Sequence, residues 1–178
     1  MKRRQFLITT AGAGLAAGMF PGLAKAATRW DMTAEYNENA YQTRIDRLFL
    51  DKLSELTNGE FAITLHSSGT LGYLSADNFD AVGDGLVQMA TTASGALSGI
   101  NPIFGVGSLP FLAVSGAADS KRLWEAATPY FSKVFEGNDQ IMLYGNPDLP
   151  TGIWAKEVIT SKAQLQNLKV RTYDANGT

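Results

Sequence analysis

Hydrophobic and polar positions over residues 28–91 switch repeatedly between a period of two and a period near three and a half. In Thr28–Ala34 the residues Trp30, Met32 and Ala34 share one parity, which predicts a first strand. Ile45, Leu48, Phe49, Leu53 and Leu56 then recur at helical spacing from a start near Ala40, and Asn58-Gly59 supplies the stop. Phe61, Ile63 and Leu65 alternate with small or polar residues, giving a second strand that ends near His66. The glycine-bearing loop from Ser67 to Gly72 leads to an expected N-cap at Ser75 and a helix carrying Phe79 and Val82, closed by Gly83-Asp84-Gly85. Leu86 to Thr91 returns as a short apolar strand. This β-α-β-α-β order implies a largely parallel sheet with crossover helices.

From Ala93 to Val114 the chain is rich in Gly, Ser and Pro, with stiff turns at Asn101-Pro102 and Leu109-Pro110-Phe111, and reads as a short helix and loops packed against the sheet. Asp119 to Phe135 predicts a second long helix with Leu123, Ala126, Ala127, Phe131 and Phe135 inward, kinked or divided by Pro129. Gln140–Tyr144, Gly152–Ile159 and Leu168–Tyr173 are strand-like, with one helical turn around Lys162 to Leu165. The chain then stops at Asn176-Gly177-Thr178 without a closing element, the pattern of a truncation.

Composition changes this picture by exclusion. With 45% hydrophobic and 18% charged residues the chain is too apolar and too weakly charged for a disordered tail. A net charge of −2 offers no electrostatic footprint for nucleic acid. No Cys and a single His, His66, rule out a thiol nucleophile and argue against a multi-histidine metal site.

The N-terminus adds an address. Met1-Lys2-Arg3-Arg4-Gln5-Phe6-Leu7, an apolar run to Leu23 and Ala24-Lys25-Ala26 form the charged, hydrophobic and small-residue regions of an export signal. The paired arginines ahead of Phe6-Leu7 resemble the twin-arginine type, which carries folded proteins. The run is interrupted by glycines and Pro21 and falls short of the roughly 20 residues of a membrane span. Cleavage after Ala26 removes Lys2, Arg3, Arg4 and Lys25 and no acid, leaving a more acidic chain suited to the periplasm.

Several stretches carry a family resemblance. Thr57-Asn58-Gly59-Glu60-Phe61, Gly69-Thr70-Leu71-Gly72, Asn78-Phe79-Asp80-Ala81-Val82 and Gly85-Leu86-Val87-Gln88-Met89 resemble the first lobe of solute-binding proteins of the tripartite ATP-independent periplasmic (TRAP) transporters. Ser108-Leu109-Pro110-Phe111-Leu112 is similar to that family's Leu-Pro-Phe turn, and Leu165-Gln166-Asn167-Leu168-Lys169-Val170-Arg171 to its segment preceding a strand that ends in arginine. The resemblance runs in order across residues 28–178. It implies an α/β, periplasmic-binding-protein-like fold, with lobe I over 27–150 and the inter-lobe crossing strand plus the start of an incomplete lobe II over 151–178. It further implies an organic acid captured in a cleft, delivery to membrane permease subunits, and no cofactor.

By that resemblance Arg171 pairs with the ligand carboxylate, a task for which a planar guanidinium fork is suited. Spacing alone favours a solvated strand-end arginine, and it is the resemblance that reverses this. A second basic residue found in sialic-acid-type members is replaced here by Glu157, beside Lys156. Glu35 and Asn39 follow the first strand, at the end of the sheet where α/β proteins bind ligands, or cap the next helix. Tyr73 follows the Leu-Gly turn, Thr92 and Ser94 follow the third strand, and Trp154 would cover the ligand or fill the hinge. Asp77, Asp80 and Asp84 share a helix face and read as solvated. Two other readings stay open: an exported α/β hydrolase using His66 and an acid, and a solute receptor of another transporter type.

Overall fold

The structure, a computed structural model, describes residues 27–109, 112–113, 116–148 and 154–172. The expected signal over 1–26, Pro110-Phe111 of the Leu-Pro-Phe turn, Gly152 and Tyr173 lie outside the described residues. Strands β1 (Thr28–Ala34), β2 (Phe61–His66) and β3 (Met89–Thr91) form a parallel sheet in the order β2-β1-β3. Met32 pairs with Leu65 on one side and Met89 on the other, and Ala34 pairs with Thr91. Consecutive residues Met32, Thr33 and Ala34 are all buried, so both faces of the central strand are covered at its C-terminal end. Right-handed crossovers with this strand order put α1 (Tyr41–Leu56) and α2 (Asp77–Gly83) on opposite faces. The expected parallel α/β arrangement is what forms.

Three local differences have physical causes. β3 is half the expected length because the N–H groups of Leu86 and Val87 both donate to the Ala81 carbonyl, at 2.9 and 3.3 Å, closing the end of α2 before the ladder begins. Ser75 is not the N-cap of α2. That position falls to Ala76, while Ser75 sits in the left-handed region at φ 51° with its N–H turned elsewhere. In α1, Leu48 and Leu56 are exposed, and the fully buried positions are the polar Thr43 and Asp46. The expected stop of α1 is present: Asn58 and Gly59 take positive φ and the Gly59 N–H closes on the Ser54 carbonyl at 2.9 Å.

The region after β3 forms two 3-10 turns, Ser94–Gly99 and Pro102–Ser108. The second is started by the Asn101 side chain accepting from the Ile103 N–H at 3.0 Å, with Pro102 at the first position. Helix α3 spans Ala117–Glu136, and Pro129 does not divide it. Its inner face is Ala127 and Phe131, with Trp124 half-buried beside them, whereas Ala126 is exposed. Phe79 of α2, Leu97 and Phe104 of the 3-10 turns, and Ala127 and Phe131 of α3 make the core cluster.

The strands expected over 140–144, 152–159 and 168–173 are not formed among the described residues. Residues 140–144 keep the alternation, Gln140 buried and Ile141 and Leu143 exposed, but are held by side chains instead of a backbone ladder. Gln140 Nε2 donates to the Phe79 carbonyl at 2.9 Å, Met142 packs on the core cluster, and Tyr144 rests its ring 4.8 Å from that of Phe49. Gly145 lies against the Trp124 indole so closely that a Cβ there would collide with it. Residues 154–172 are almost wholly exposed, with the turn Lys162–Leu165 started by a capping box of Ser161 and Gln164.

Candidate functional site

In an order β2-β1-β3, the crevice beyond the carboxyl ends of β1 and β3 is the switch point where α/β sheets take ligands. Here that crevice is organised by Glu35, the residue after β1. Its Oε2 accepts the Ser75 N–H at 2.9 Å and the Ser75 hydroxyl at 3.3 Å. Its Oε1 accepts the Ala93 N–H at 2.9 Å and the Thr92 hydroxyl at 3.4 Å. Thr92 Oγ1 also donates to the Ser75 carbonyl at 2.9 Å. One carboxylate thus joins the exit of β1, the 67–75 loop and the exit of β3. The loop is itself laid over β1 by Ser68 N–H to Tyr36 O at 2.8 Å and Gly69 N–H to Ala34 O at 3.0 Å. Gly69 has φ 61° and its missing Cβ would run into the Leu74 side chain, so both space and backbone favour glycine there.

Behind the crevice lies a buried polar layer. Asp46 of α1 is fully buried, and its Oδ1 accepts from the Tyr144 hydroxyl at 2.5 Å and the Thr91 hydroxyl at 3.0 Å, while Oδ2 has no hydrogen-bond partner among the described residues. Burial pushes the Asp46 carboxyl up from its ordinary range, against the pull of the Tyr144 and Thr91 hydrogen bonds. Burial, with the neighbouring Asp46, likewise pushes the Tyr144 hydroxyl up. The segment 140–148 straps across to the start of α1, where the Tyr41 hydroxyl shares its proton between Pro147 O at 2.8 Å and Asp148 Oδ1 at 2.7 Å. Ser75, Asp46 and Tyr144 were not among the site residues that sequence suggested. For Asp46 a signal existed, since it lies on the stripe of Phe49 and Leu53 at spacings of three and seven.

Of the candidates read from sequence, Glu35 and Thr92 are brought together. Tyr73 is half-buried in the loop that Glu35 holds, and Ser94 is exposed at the start of the first 3-10 turn. Asn39 is exposed on the outer side, its N–H donating to the Asn37 side chain at 3.0 Å. On that rim Glu38 accepts from Ser67 and Arg47, and the Ser67 hydroxyl, followed by Arg47, holds its carboxyl below the usual range. Trp154 is 95% exposed, and Arg171 is exposed in an extended segment outside the sheet. His66 Nε2 meets Asp31 Oδ1 of the neighbouring strand at 2.7 Å. Asp77, Asp80 and Asp84 are exposed, and among the described residues no group of three or more His, Cys, Asp or Glu side chains is arranged to hold a metal ion.

The chain is similar to known proteins along most of its length. The family model of DctP, described as bacterial extracellular solute-binding protein, family 7, matches residues 33–177. DctP7 of Bordetella pertussis, an extracytoplasmic solute receptor binding pyroglutamic acid, is 33% identical with a TM-score of 0.79, over 84% of this chain and 49% of that one. DctP6 of the same organism, also binding pyroglutamic acid, is 26% identical with a TM-score of 0.63, over 66% of this chain and 38% of its own. A marine metagenome TRAP solute-binding protein specific for pyroglutamate is 28% identical with a TM-score of 0.62, over the same 66% and 38%. The chain therefore spans half or less of the length of these solved relatives. No protein of curated function gives a significant match.

Proposed function

The chain belongs to family 7 of the bacterial extracellular solute-binding proteins, and on that premise we propose that it is a periplasmic receptor that captures a small organic acid and hands it to TRAP permease subunits in the membrane. Residues 1–26 serve as a twin-arginine signal cleaved after Ala26, 27–150 form lobe I, and 151–178 cross towards lobe II. The observation that carries the reading is the set of polar groups that Glu35 draws together at the carboxyl ends of β1 and β3, in a chain 33% identical to a pyroglutamate receptor. Pyroglutamate is accordingly the first ligand to try. Arg171 supplies the fork for its carboxylate, with Thr92, Ser94 and Tyr73 lining the lobe I side and Trp154 closing over the ligand's apolar part.

Receptor work needs no nucleophile. His66 directs Nε2 to Asp31 on the adjacent strand, an arrangement that ties two strands. Titration of the full-length protein with pyroglutamate tests the proposal. Removing one partner of a desolvated charge pair costs about 2–5 kcal/mol, so Arg171→Ala is expected to weaken binding at least about thirtyfold. An unchanged affinity would remove Arg171 from the site, and a protein that binds no carboxylate would remove the organic-acid reading.

A further inference from the structure

We propose that the Glu35 carboxylate is the chain's own occupant of an anion-accepting position, so that the lobe I wall receives a neutral, hydrogen-bonding end of the ligand and excludes a second carboxylate. The inference rests on the receptor reading and narrows its ligand class to monocarboxylic acids bearing an amide N–H, hydroxyl or similar group.

Two backbone N–H groups, those of Ser75 and Ala93, converge on one point at the ends of β1 and β3, with the hydroxyls of Ser75 and Thr92 alongside. Left empty, such a set of donors would suit a ligand carboxylate. Glu35 fills it from inside, with an oxygen 2.9 Å from each N–H and a hydroxyl on each oxygen, at 3.3 and 3.4 Å. A carboxylate offers about four lone-pair sites, and the protein supplies three donors outright and a fourth, the Thr92 hydroxyl, whose one proton is shared with the Ser75 carbonyl at 2.9 Å. Glu35 is therefore satisfied without a ligand and acts on one only through the loops it holds and through its charge. All four donors are neutral, so that charge is not cancelled by a cation in the set. An acid whose carboxylate is gripped elsewhere would turn its other end towards this wall. A second carboxylate arriving there finds the N–H groups taken and a like charge behind them, which disfavours two ionised groups in one site. A neutral donor meets neither obstacle and gains the outlying hydroxyl oxygens as acceptors.

Glu35 is thus a positioning residue with an effect on specificity, and the two roles separate experimentally. Pyroglutamate and glutarate share a five-carbon skeleton but carry one and two carboxylates. Calorimetric titration of the full-length protein is expected to favour pyroglutamate by about tenfold or more, since like-charge juxtaposition is strongly disfavoured in such sites. In Glu35→Gln, confirmed as folded by its melting curve, the ratio is expected to narrow towards unity, whatever happens to the absolute affinities. A merely structural role would lower both affinities and leave their ratio alone, so an unmoved ratio overturns the proposal while the receptor reading stands. Should Glu35→Gln fail to fold, the wild-type ratio decides: equal binding of the two acids overturns the proposal. A protein that binds neither acid overturns the receptor reading and this inference with it.

Discussion

At the scale of single residues, the unusual expenditure is Asp46. A helix that exposes Leu48 and Leu56 while burying a carboxyl has its apolar stripe interrupted for the sake of a hydrogen bond to Tyr144 and Thr91. Because burial raises its pKa from 3.8, the folded protein holds a proton at Asp46 over a pH window in which the unfolded chain has already lost it. Stability from this group is therefore greatest at low pH and falls as pH rises from about 3.8 through the raised folded value, the cost being complete above it. Asp46→Asn keeps the Oδ1 acceptor and removes the ionisation. Compared with wild type in urea melts at pH 4 and pH 7, the variant is expected to gain relative stability as pH rises. The opposite trend would mean that the ionised carboxylate is the form the fold prefers. At Glu35 the same chemical group has its oxygens fully engaged, which separates a strained carboxylate from a satisfied one within one domain.

At the scale of elements, Pro129 offers a direct test. It is exposed inside the continuous helix α3, where it removes the N–H that would reach the Glu125 carbonyl. Pro in a helix interior is about 3 kcal/mol worse than Ala, and its restriction of the unfolded chain returns about 0.4–1 kcal/mol. Pro129→Ala is expected to stabilise by about 2 kcal/mol, seen as a rise of several degrees in Tm. A lower Tm would mean that Pro129 itself helps to seat Phe131 in the core. Elements whose pattern is local were legible from sequence: Trp30, Met32 and Ala34 marked β1, and Asn58-Gly59 marked the stop just beyond α1. What was not legible depends on partners far along the chain. Leu86 and Val87 look like strand but finish α2, and 140–144 alternates like a strand but is anchored by Gln140 and Tyr144 side chains. Within the site, Glu35 and Thr92 were legible by their place after strands. Ser75 was read as a cap because its tie to Glu35 spans 40 residues and depends on the register of the sheet.

At the scale of the whole molecule, export and folding meet. If residues 1–26 are a twin-arginine signal, replacing Arg3 and Arg4 with Lys is expected to hold the precursor in the cytoplasm of a bacterial host, as fractionation and immunoblotting would read. Undiminished export would assign the signal to the unfolded-chain route. The strap over 140–148 makes the choice of route matter. Asp46 and Tyr144 are 98 residues apart in sequence, against 35 for Asp31 and His66. Closing the larger loop costs about 0.9 kcal/mol more in chain entropy. At synthesis rates of about 5–20 residues per second, Asp46 leaves the ribosome's active centre about 5–20 s before Tyr144 is made. Throughout that interval α1 carries an unshielded carboxyl on the face meant for the interior, and the sheet can pair before the strap arrives. The bond that buries Asp46 thus waits until well after all three strands have been made, and its lateness is measured in seconds of translation.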